Sequence, residues 1–289
     1  MTNKKKVALI TGMNGFIGKH LADALFNKGY KVVGLDRALL SDPQALENEL
    51  FKIKPNEIYH LAAFGNHFDQ IDEDEIIGTN IMKTYLLLRA LKNVEFDKFI
   101  NFSSSSVYGE KSSPMFETSL PETTTFYGVS KVASEYLCKA FAKNYNKRII
   151  TVRPFSVYGE GEADFRFIPK VCEALREDKT LNLVPHPVHD WIYIPDFIDG
   201  VLKVAHEEHT FDTVNIGTGE SHTNNDIVHR LELLTEKKAK TVLKSSIRQD
   251  DKKEWKAENS RLKSLGWKPQ FTLIEGLSNT YEFYANEQK

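Results

Sequence analysis

Near the start of the chain a short apolar run, Val7-Ala8-Leu9-Ile10-Thr11, breaks at Gly12-Met13-Asn14-Gly15-Phe16-Ile17-Gly18 and then turns helical in pattern. Three glycines spaced Gly-x-x-Gly-x-x-Gly at such a junction leave little choice of local structure. A buried strand ends at Thr11, Gly12 permits a tight turn, Gly15 lets the backbone approach a pyrophosphate, and Gly18 lets the next helix sit close to the strand. The free N–H groups and positive dipole of a helix beginning near Phe16 then face the phosphates of a dinucleotide. The glycine triplet alone occurs by chance in loops, so its meaning comes from the strand before it and the helix after it.

The rest of the first half repeats this alternation of short apolar runs and amphipathic stretches, the sequence form of a parallel sheet covered by helices on both faces. Strands are expected at Lys6–Thr11, Lys31–Asp36, Glu57–Ala62, Lys98–Ser103 and Arg148–Arg153. Between them, helices are expected at Phe16–Lys28, Pro43–Ile53, Asp74–Lys92 and Phe126–Tyr145. Gly29 ends the first helix, and Pro43 starts the second behind Ser41 and Asp42. After Pro154 the pattern loosens. Short runs at Trp191–Ile194 and Thr213–Ile216 alternate with helices at Ile168–Glu177, Pro195–His206, Asn224–Leu234 and Leu273–Tyr284, while Lys237–Lys244 reads as a solvated surface. The expected fold is α/β, a Rossmann-like doubly wound parallel sheet over 1–154 with a smaller C-terminal substrate-binding α/β lid over 155–289, some segments of which return to the sheet.

A chain of 289 residues suffices for one large or two modest domains, and 41% hydrophobic with 27% charged residues is ordinary for a globular enzyme. The net charge of −2 gives no global attraction to nucleic acid or an anionic membrane. Cys138 and Cys172 lie in helical, partly apolar patterns and read as buried thiols of a reducing compartment, without a disulfide framework or metal cluster. Lys4-Lys5-Lys6 precedes an apolar run that Gly12 and Asn14 break, with no small-x-small cleavage site, so no secretory leader is expected. Nor does any segment reach the roughly 18 apolar residues of a membrane span. The cytoplasm is the expected compartment.

The second expected strand ends in Gly34-Leu35-Asp36-Arg37. An acid at Asp36 accepts hydrogen bonds from the adenosine ribose hydroxyls and repels a 2′-phosphate, which favours NAD over NADP. Arg37 leaves NADP open, since a guanidinium there could hold that phosphate. His60-Leu61-Ala62-Ala63 closes the third strand with small residues, where backbone must pass close to a flat cofactor. On the helix from Phe126, Tyr127 and Lys131 share a face. The lysine lowers the phenol pKa and hydrogen-bonds the nicotinamide ribose, so Tyr127 can exchange a proton with a sugar hydroxyl or ketone. Asn101-Phe102-Ser103-Ser104-Ser105-Ser106-Val107-Tyr108-Gly109 sets serines at the carboxyl end of a strand, the edge at which open α/β sheets bind ligands.

Together and in this order, these motifs resemble the NAD-dependent epimerase/dehydratase family of the extended short-chain dehydrogenase/reductases, which acts on nucleotide sugars. The resemblance covers nearly the whole chain. It continues through Asn80, Arg153-Pro154-Phe155-Ser156-Val157-Tyr158-Gly159, His189-Asp190-Trp191-Ile192-Tyr193-Ile194, Asn215-Ile216-Gly217-Thr218-Gly219 and Leu265-Gly266-Trp267-Lys268-Pro269. It implies that Tyr127 is the acid/base, Lys131 its electrostatic partner, Ser104 the hydroxyl that polarises the substrate, and Asn80 a structural and proton-relay asparagine. The implied cofactor site comprises Gly12, Gly15, Phe16, Ile17, Gly18, Asp36, Arg37, Leu61, Ala62, Ala63, Tyr127, Lys131 and Pro154, for NAD with NADP left open and no metal. The implied site for a nucleoside-diphosphate sugar comprises Ser104, Ser105, Ser106, Ser156, Arg166, His189 and Arg248. A homodimer paired through the helices at Asp74–Lys92 and Phe126–Tyr145 is implied as well.

The chain departs from the family at three places. Dehydratases carry an Asp-Glu pair immediately after the polarising hydroxyl; Ser105 and Ser106 stand there, and neither does carboxylate chemistry. The arginine usual before the Asp-aromatic-Ile motif is His189, whereas Arg248 matches another cation that grips the diphosphate. The family's third strand, with its adenine-contacting Asp, is compressed into Leu39-Leu40-Ser41-Asp42, where Asp42 reads as a helix cap. The expected activity is hydride transfer at C4 of a nucleoside-diphosphate sugar, with a 4-epimerase as the leading reading. A 4-keto-6-deoxy-sugar reductase needs the same Ser, Tyr and Lys and stays open, as does, further off, a non-catalytic dinucleotide-binding regulator.

Overall fold

The computed structural model describes residues 5–67, 69–111, 114–245 and 254–286. In chain order come β1 (Val7–Thr11), α1 (Phe16–Asn27), β2 (Lys31–Leu35), α2 (Pro43–Ile53), β3 (Glu57–His60), α3 (Glu73–Ile77), α4 (Thr84–Ala90), β4 (Lys98–Phe102), α5 (Phe126–Tyr145) and β5 (Ile149–Pro154). There follow β6 (Ser156–Tyr158), α6 (Phe167–Glu177), β7 (Thr180–Leu183), β8 (Val188–His189), β9 (Trp191–Tyr193), α7 (Ile194–His206) and β10 (Thr213–Ile216). The last are β11 (His222–Thr223), α8 (Asn224–Thr235), β12 (Lys240–Leu243), α9 (Ser260–Ser264) and α10 (Leu273–Asn286). The chain forms two compact units, one of Met1–Gly109, Leu120–Arg153 and Val201–Val214, the other of Glu110–Ser119, Pro154–Gly200 and Asn215–Lys289.

Six strands form a sheet in the order β10-β5-β4-β3-β1-β2, and the pairings from β2 through β5 are parallel. The chain enters at β1, steps outward to β2, then reverses across the sheet to β3, β4 and β5. That reversal sets a topological switch point between β1 and β3, at whose carboxyl ends a Rossmann-like sheet binds ligands. Both strands are buried along their whole length, as strands covered on two faces must be. On one face Leu9, Leu35, Ile58 and Phe99 from the strands meet Leu46 and Leu50 of α2, Leu87 and Leu88 of α4, and Phe141 of α5. Each such side chain contributes about 1.5–3 kcal/mol relative to exposure.

Local sequence sets the element ends. α1 closes in a Schellman turn: Gly29, at φ 87°, donates its N–H to Phe26 at 2.9 Å, and the Tyr30 N–H donates to Leu25 at 3.1 Å. α2 opens on Pro43 behind Asp42, whose carboxylate accepts the N–H groups of Gln44 and Ala45 at 3.1 and 3.0 Å. Between β2 and α2 the chain makes a 3₁₀ turn, Leu39–Ser41, that buries Leu40.

The structure corrects two expectations. The helix expected at Asp74–Lys92 is broken into α3, a π-helical turn at Gly78–Lys83, and α4. At the junction the Thr84 hydroxyl donates to the Asn80 carbonyl at 2.8 Å, within the widened turn. The stretch Lys237–Lys244 is solvated, but it contains β12, an exposed strand paired in parallel with β7. Strands β6, β7, β8 and β11 and the short α9 are additional to the expected elements.

In the second unit β6 pairs with β9 and β8 with β11. Its loops hang on buried carboxylates. Asp190 accepts the Thr218 N–H and hydroxyl, both at 2.8 Å, the Gly219 N–H at 2.9 Å and the Ala257 N–H at 3.0 Å. Asp196 accepts the Gln270 N–H at 2.8 Å, and its carbonyl takes the Trp267 indole N–H at 3.0 Å. Among the described residues no helix is long and apolar enough to cross a membrane.

Candidate functional site

At the carboxyl end of β1 the Gly15 N–H donates to the Gly12 carbonyl at 3.1 Å, closing the turn. Gly12 has φ 74°, and a Cβ there would lie 3.0 Å from the Ala62 nitrogen; a Cβ on Gly18 would lie 2.3 Å from the Gly12 oxygen. The turn, the first turn of α1 and the segment after β3 therefore approach to a distance that only glycine allows. Gly15 is less confined. Its φ is −76°, and a Cβ would find the Gly12 oxygen at a tight 3.3 Å, which a shift of a few tenths of an ångström relieves. Phe16 and Ile17 then begin α1, which has neither a side-chain cap nor an acid in its first turn. Its N–H groups stand ready for an anion, which fits a dinucleotide pyrophosphate.

A buried relay anchors the neighbouring strand end. Thr11 Oγ1 accepts the Ala62 N–H at 3.1 Å and donates to His60 Nδ1 at 2.8 Å. Thr84 Oγ1, whose proton goes to the Asn80 carbonyl, accepts from His60 Nε2 at 2.9 Å. The imidazole is thus neutral and protonated on Nε2, and burial, assisted by the Lys131 charge, pushes its pKa down to about 3. Leu61 donates its N–H to the Thr11 carbonyl at 3.1 Å, so Leu61-Ala62-Ala63 is held beside the glycine turn. Beyond β2, exposed Asp36 accepts the Ala38 N–H at 2.9 Å. The Arg37 guanidinium is paired with Glu75 on α3. Glu75 also accepts the Thr79 hydroxyl at 2.8 Å and stands 3.9 Å from Lys83; the Thr79 bond and these cations hold its carboxyl below the usual range.

Helix α5 starts at a Thr125 cap that accepts the Gly128 N–H at 3.1 Å, and it carries Tyr127 and Lys131 on one face. Lys131 is buried and donates to the Phe102 carbonyl at 2.7 Å, with Nζ 6.0 Å from the centre of the Tyr127 ring. Burial pushes its pKa down to about 8, against the pull of Glu135 one turn on. Ser104 caps the 3₁₀ turn Ser105–Tyr108; its hydroxyl accepts the Ser106 N–H and donates to the Ser106 hydroxyl, both at 3.1 Å. A Cβ on Gly128 would lie 2.8 Å from the Ser106 carbonyl, so the start of α5 abuts this serine turn. Gly65, at φ 95°, passes within 3.4 Å of the Tyr127 ring, measured from an ideal Cβ. Asn80 spans these parts: its amide donates to the Phe64 carbonyl at 2.7 Å and to Ser130 Oγ at 2.9 Å, and Ser130 donates to the Tyr127 carbonyl at 2.7 Å.

Serine hydroxyl, phenol, ammonium and dinucleotide turn thus belong to one unit and one edge of its sheet, an arrangement suited to hydride transfer coupled to proton transfer. In the second unit Ser156 and His189 are brought together, Oγ to Nδ1 at 3.4 Å, and the His189 ring lies 5.1 Å from Trp191. Arg166 is the N-cap residue of α6, its guanidinium 5.7 Å from the Phe165 ring, and Pro154 ends β5. Arg248 lies outside the described residues. Among the described residues no group of three or more His, Cys, Asp or Glu side chains is placed to hold a metal ion. Sequence reasoning did not single out Glu75, Glu135 or Arg153 as parts of the site. Glu135 did carry a signal, the continuation of the Tyr127 and Lys131 face by one more turn.

The family model that matches residues 8–217 is that of the NAD dependent epimerase/dehydratase family. An uncharacterized UDP-glucose epimerase of Bacillus subtilis is 27% identical over 313 residues, covering 96% of this chain and 98% of that protein. A dTDP-glucose 4,6-dehydratase of Escherichia coli is 26% identical over 337 residues, 97% of this chain and 93% of its own. Among solved structures, UDP-glucuronic acid 4-epimerase from Bacillus cereus, in complex with UDP-glucuronic acid and NAD, superposes with a TM-score of 0.84 at 31% identity, covering 96% of this chain and 98% of the other. UDP-glucose 4-epimerase from Thermotoga maritima, with UDP-glucose, reaches a TM-score of 0.90 at 26% identity, covering 98% and 100%.

Proposed function

The chain belongs to the NAD dependent epimerase/dehydratase family, and from that premise we propose that it is an NAD-dependent 4-epimerase of a nucleoside-diphosphate sugar, with a UDP-sugar as the first candidate. The observation that carries this reading is the buried Lys131 one turn from Tyr127, on a helix that abuts the Ser104 turn. Tyr127 takes the proton of the C4 hydroxyl and later returns it, while the Lys131 ammonium favours the phenolate. Ser104 donates to the same oxygen. NAD bound at the glycine turn supplies the hydride acceptor. Asp36 and the pairing of Arg37 with Glu75 support NAD over NADP.

Dehydratases stand among the relatives, yet Ser105 and Ser106 occupy the places where elimination needs carboxylates, which supports epimerisation. We assign the first unit to cofactor and catalysis and the second to the substrate, with Ser156, Arg166, His189 and Arg248 as its contacts. A homodimer is supported by exposed apolar residues on α5, Val129 and Tyr136, on α4, Tyr85, and on the π turn before it, Met82. The cytoplasm suits the buried free thiols Cys138 and Cys172.

The test is to denature purified protein and assay the released nucleotide, then to supply UDP-glucose and UDP-glucuronic acid in turn. Stoichiometric NAD and interconversion of C4 epimers without net cofactor consumption are expected. An empty site with stoichiometric oxidation of a reduced cofactor by a 4-keto sugar would instead make the protein a reductase.

A further inference from the structure

The turn that carries the serines is tied at both ends to one ion pair. Before it, the Ser103 hydroxyl donates to Glu135. At its last residue, the Tyr108 hydroxyl accepts from Arg153 at 2.8 Å. Arg153 and Glu135 form a two-pronged bridge, 2.9 Å from Nε to one carboxylate oxygen and 2.6 Å from the terminal nitrogen to the other. The bridge is buried, with 6% and 10% of the two side chains exposed. Glu135 lies on α5 one turn beyond Lys131 and two turns beyond Tyr127, so the residue that grips the serine turn shares a helix face with both of the other catalytic candidates.

We propose that the Glu135–Arg153 pair positions the catalytic site, locking the Ser104 turn onto the helix of Tyr127 and Lys131 and setting a carboxylate beside the Lys131 ammonium. The inference rests on the proposed roles of Tyr127, Lys131 and Ser104. The surroundings of Lys131 sharpen it. His60 on β3 is neutral, Cys138 on α5 is a thiol whose pKa burial raises, and the Phe102 carbonyl on β4 and the Tyr127 ring also face it. Among the described residues that act on Lys131, Glu135 is the carboxylate. Burial lowers the Lys131 pKa to about 8 and the carboxylate one turn away acts against that burial, so Glu135 favours the charged form of Lys131.

The experiment titrates Lys131 in the purified protein with its nucleotide bound, by NMR of ¹⁵N-lysine, with its signal assigned by absence from Lys131→Met, alongside the pH profile of kcat. Glu135→Gln should move the Lys131 midpoint and the alkaline limb of kcat down together by on the order of one pH unit. Glu135→Gln leaves Arg153 buried without its counter-charge, so Glu135→Gln/Arg153→Met is the companion variant that removes both charges. It too should lower the midpoint, since of the two charges it is the carboxylate that raises the Lys131 pKa. Ser103→Ala keeps the pair but loosens the turn; kcat should fall on the order of tenfold or more with the Lys131 midpoint unmoved. An unchanged midpoint in both Glu135 variants, or full kcat in Ser103→Ala, would overturn the proposal. Tyr127→Phe separates the two readings: turnover retained in that variant would strike the proposed acid/base role, whereas the lysine titration stands without any turnover.

Discussion

Replacing Gly18 with alanine would set a methyl carbon 2.3 Å from the Gly12 carbonyl oxygen and 2.7 Å from that of Met13. Both are backbone atoms, so no rotamer relieves the clash, and α1 must withdraw from the turn by about 1 Å to regain van der Waals separation. Overpacking of this kind costs about 1–3 kcal/mol. At about 2–4 °C per kcal/mol for a chain of this size, Tm should fall by roughly 2–12 °C. NAD affinity should fall with it, because the N–H groups of α1 move relative to Gly12 and Gly15. Gly15→Ala is the control. With φ −76° and its nearest neighbour, the Gly12 oxygen, at 3.3 Å, the new methyl asks the turn to give by only a few tenths of an ångström but occupies the pyrophosphate's approach. Its Tm should stay near that of the wild type while Kd for NAD rises about tenfold or more, which is about 1.4 kcal/mol. Thermal melts of the ligand-free protein and calorimetric titration with NAD read the two effects separately. A wild-type Tm in Gly18→Ala, or a lowered Tm with normal NAD binding in Gly15→Ala, would refute the packing argument.

Tyr127→Phe should lower kcat on the order of 10²-fold with little change in NAD affinity, and near wild-type turnover would remove Tyr127 from the mechanism. Glu75→Gln should release Arg37, and Asp36→Ala should remove the repulsion of a 2′-phosphate, so each should shift binding toward NADP by about tenfold or more in direct titrations; a wild type that already prefers NADP would contradict both. Tyr136, 61% exposed on α5, should tolerate glutamate as a monomer but not in a dimer, so Tyr136→Glu should halve the mass seen by light scattering. His60 titrates near 6.5 when unfolded and near 3 when folded, so unfolding takes up a proton between these values. The stability owed to neutral His60 is complete above pH 6.5 and is lost as pH falls, at up to about 1.4 kcal/mol per unit. Melts from pH 7 to 4 should therefore show a shallower loss in His60→Gln than in the wild type, and equal slopes would refute the neutral, buried histidine.

Elements whose ends are set by neighbouring residues were legible to the residue. Helix α2 runs from Pro43 to Ile53 because Asp42 caps it and Lys54 leaves it in a left-handed conformation, and α5 ends in the same way at Asn146. The π turn at Gly78–Lys83 was not legible, because its apolar spacing continues that of the helices on either side. Strands β6, β8 and β11 span two or three residues each. Pairing of Ser156 with Trp191 or of His189 with His222 joins residues far apart in sequence, and a run that short has no period to read.

The site divides along the same line. Gly12, Gly18, Tyr127 and Lys131 could be read because their chemistry demands a residue type at a fixed local spacing, and the turn or helix supplies the geometry. Arg37 could not be settled from its neighbours: whether it meets a 2′-phosphate or a carboxylate depends on Glu75, which reaches it only after β3 has crossed to the other side of β1. Glu135 was harder still, since a glutamate on a helix is ordinarily solvated, and it becomes part of a buried pair only when β5 delivers Arg153 beside it. Spacing therefore points to the groups proposed to react, while the charges placed beside them come from strands that meet only in the fold. It follows that substitutions at Glu75 and Glu135 should alter cofactor choice and pH dependence while leaving every recognisable motif of the chain intact.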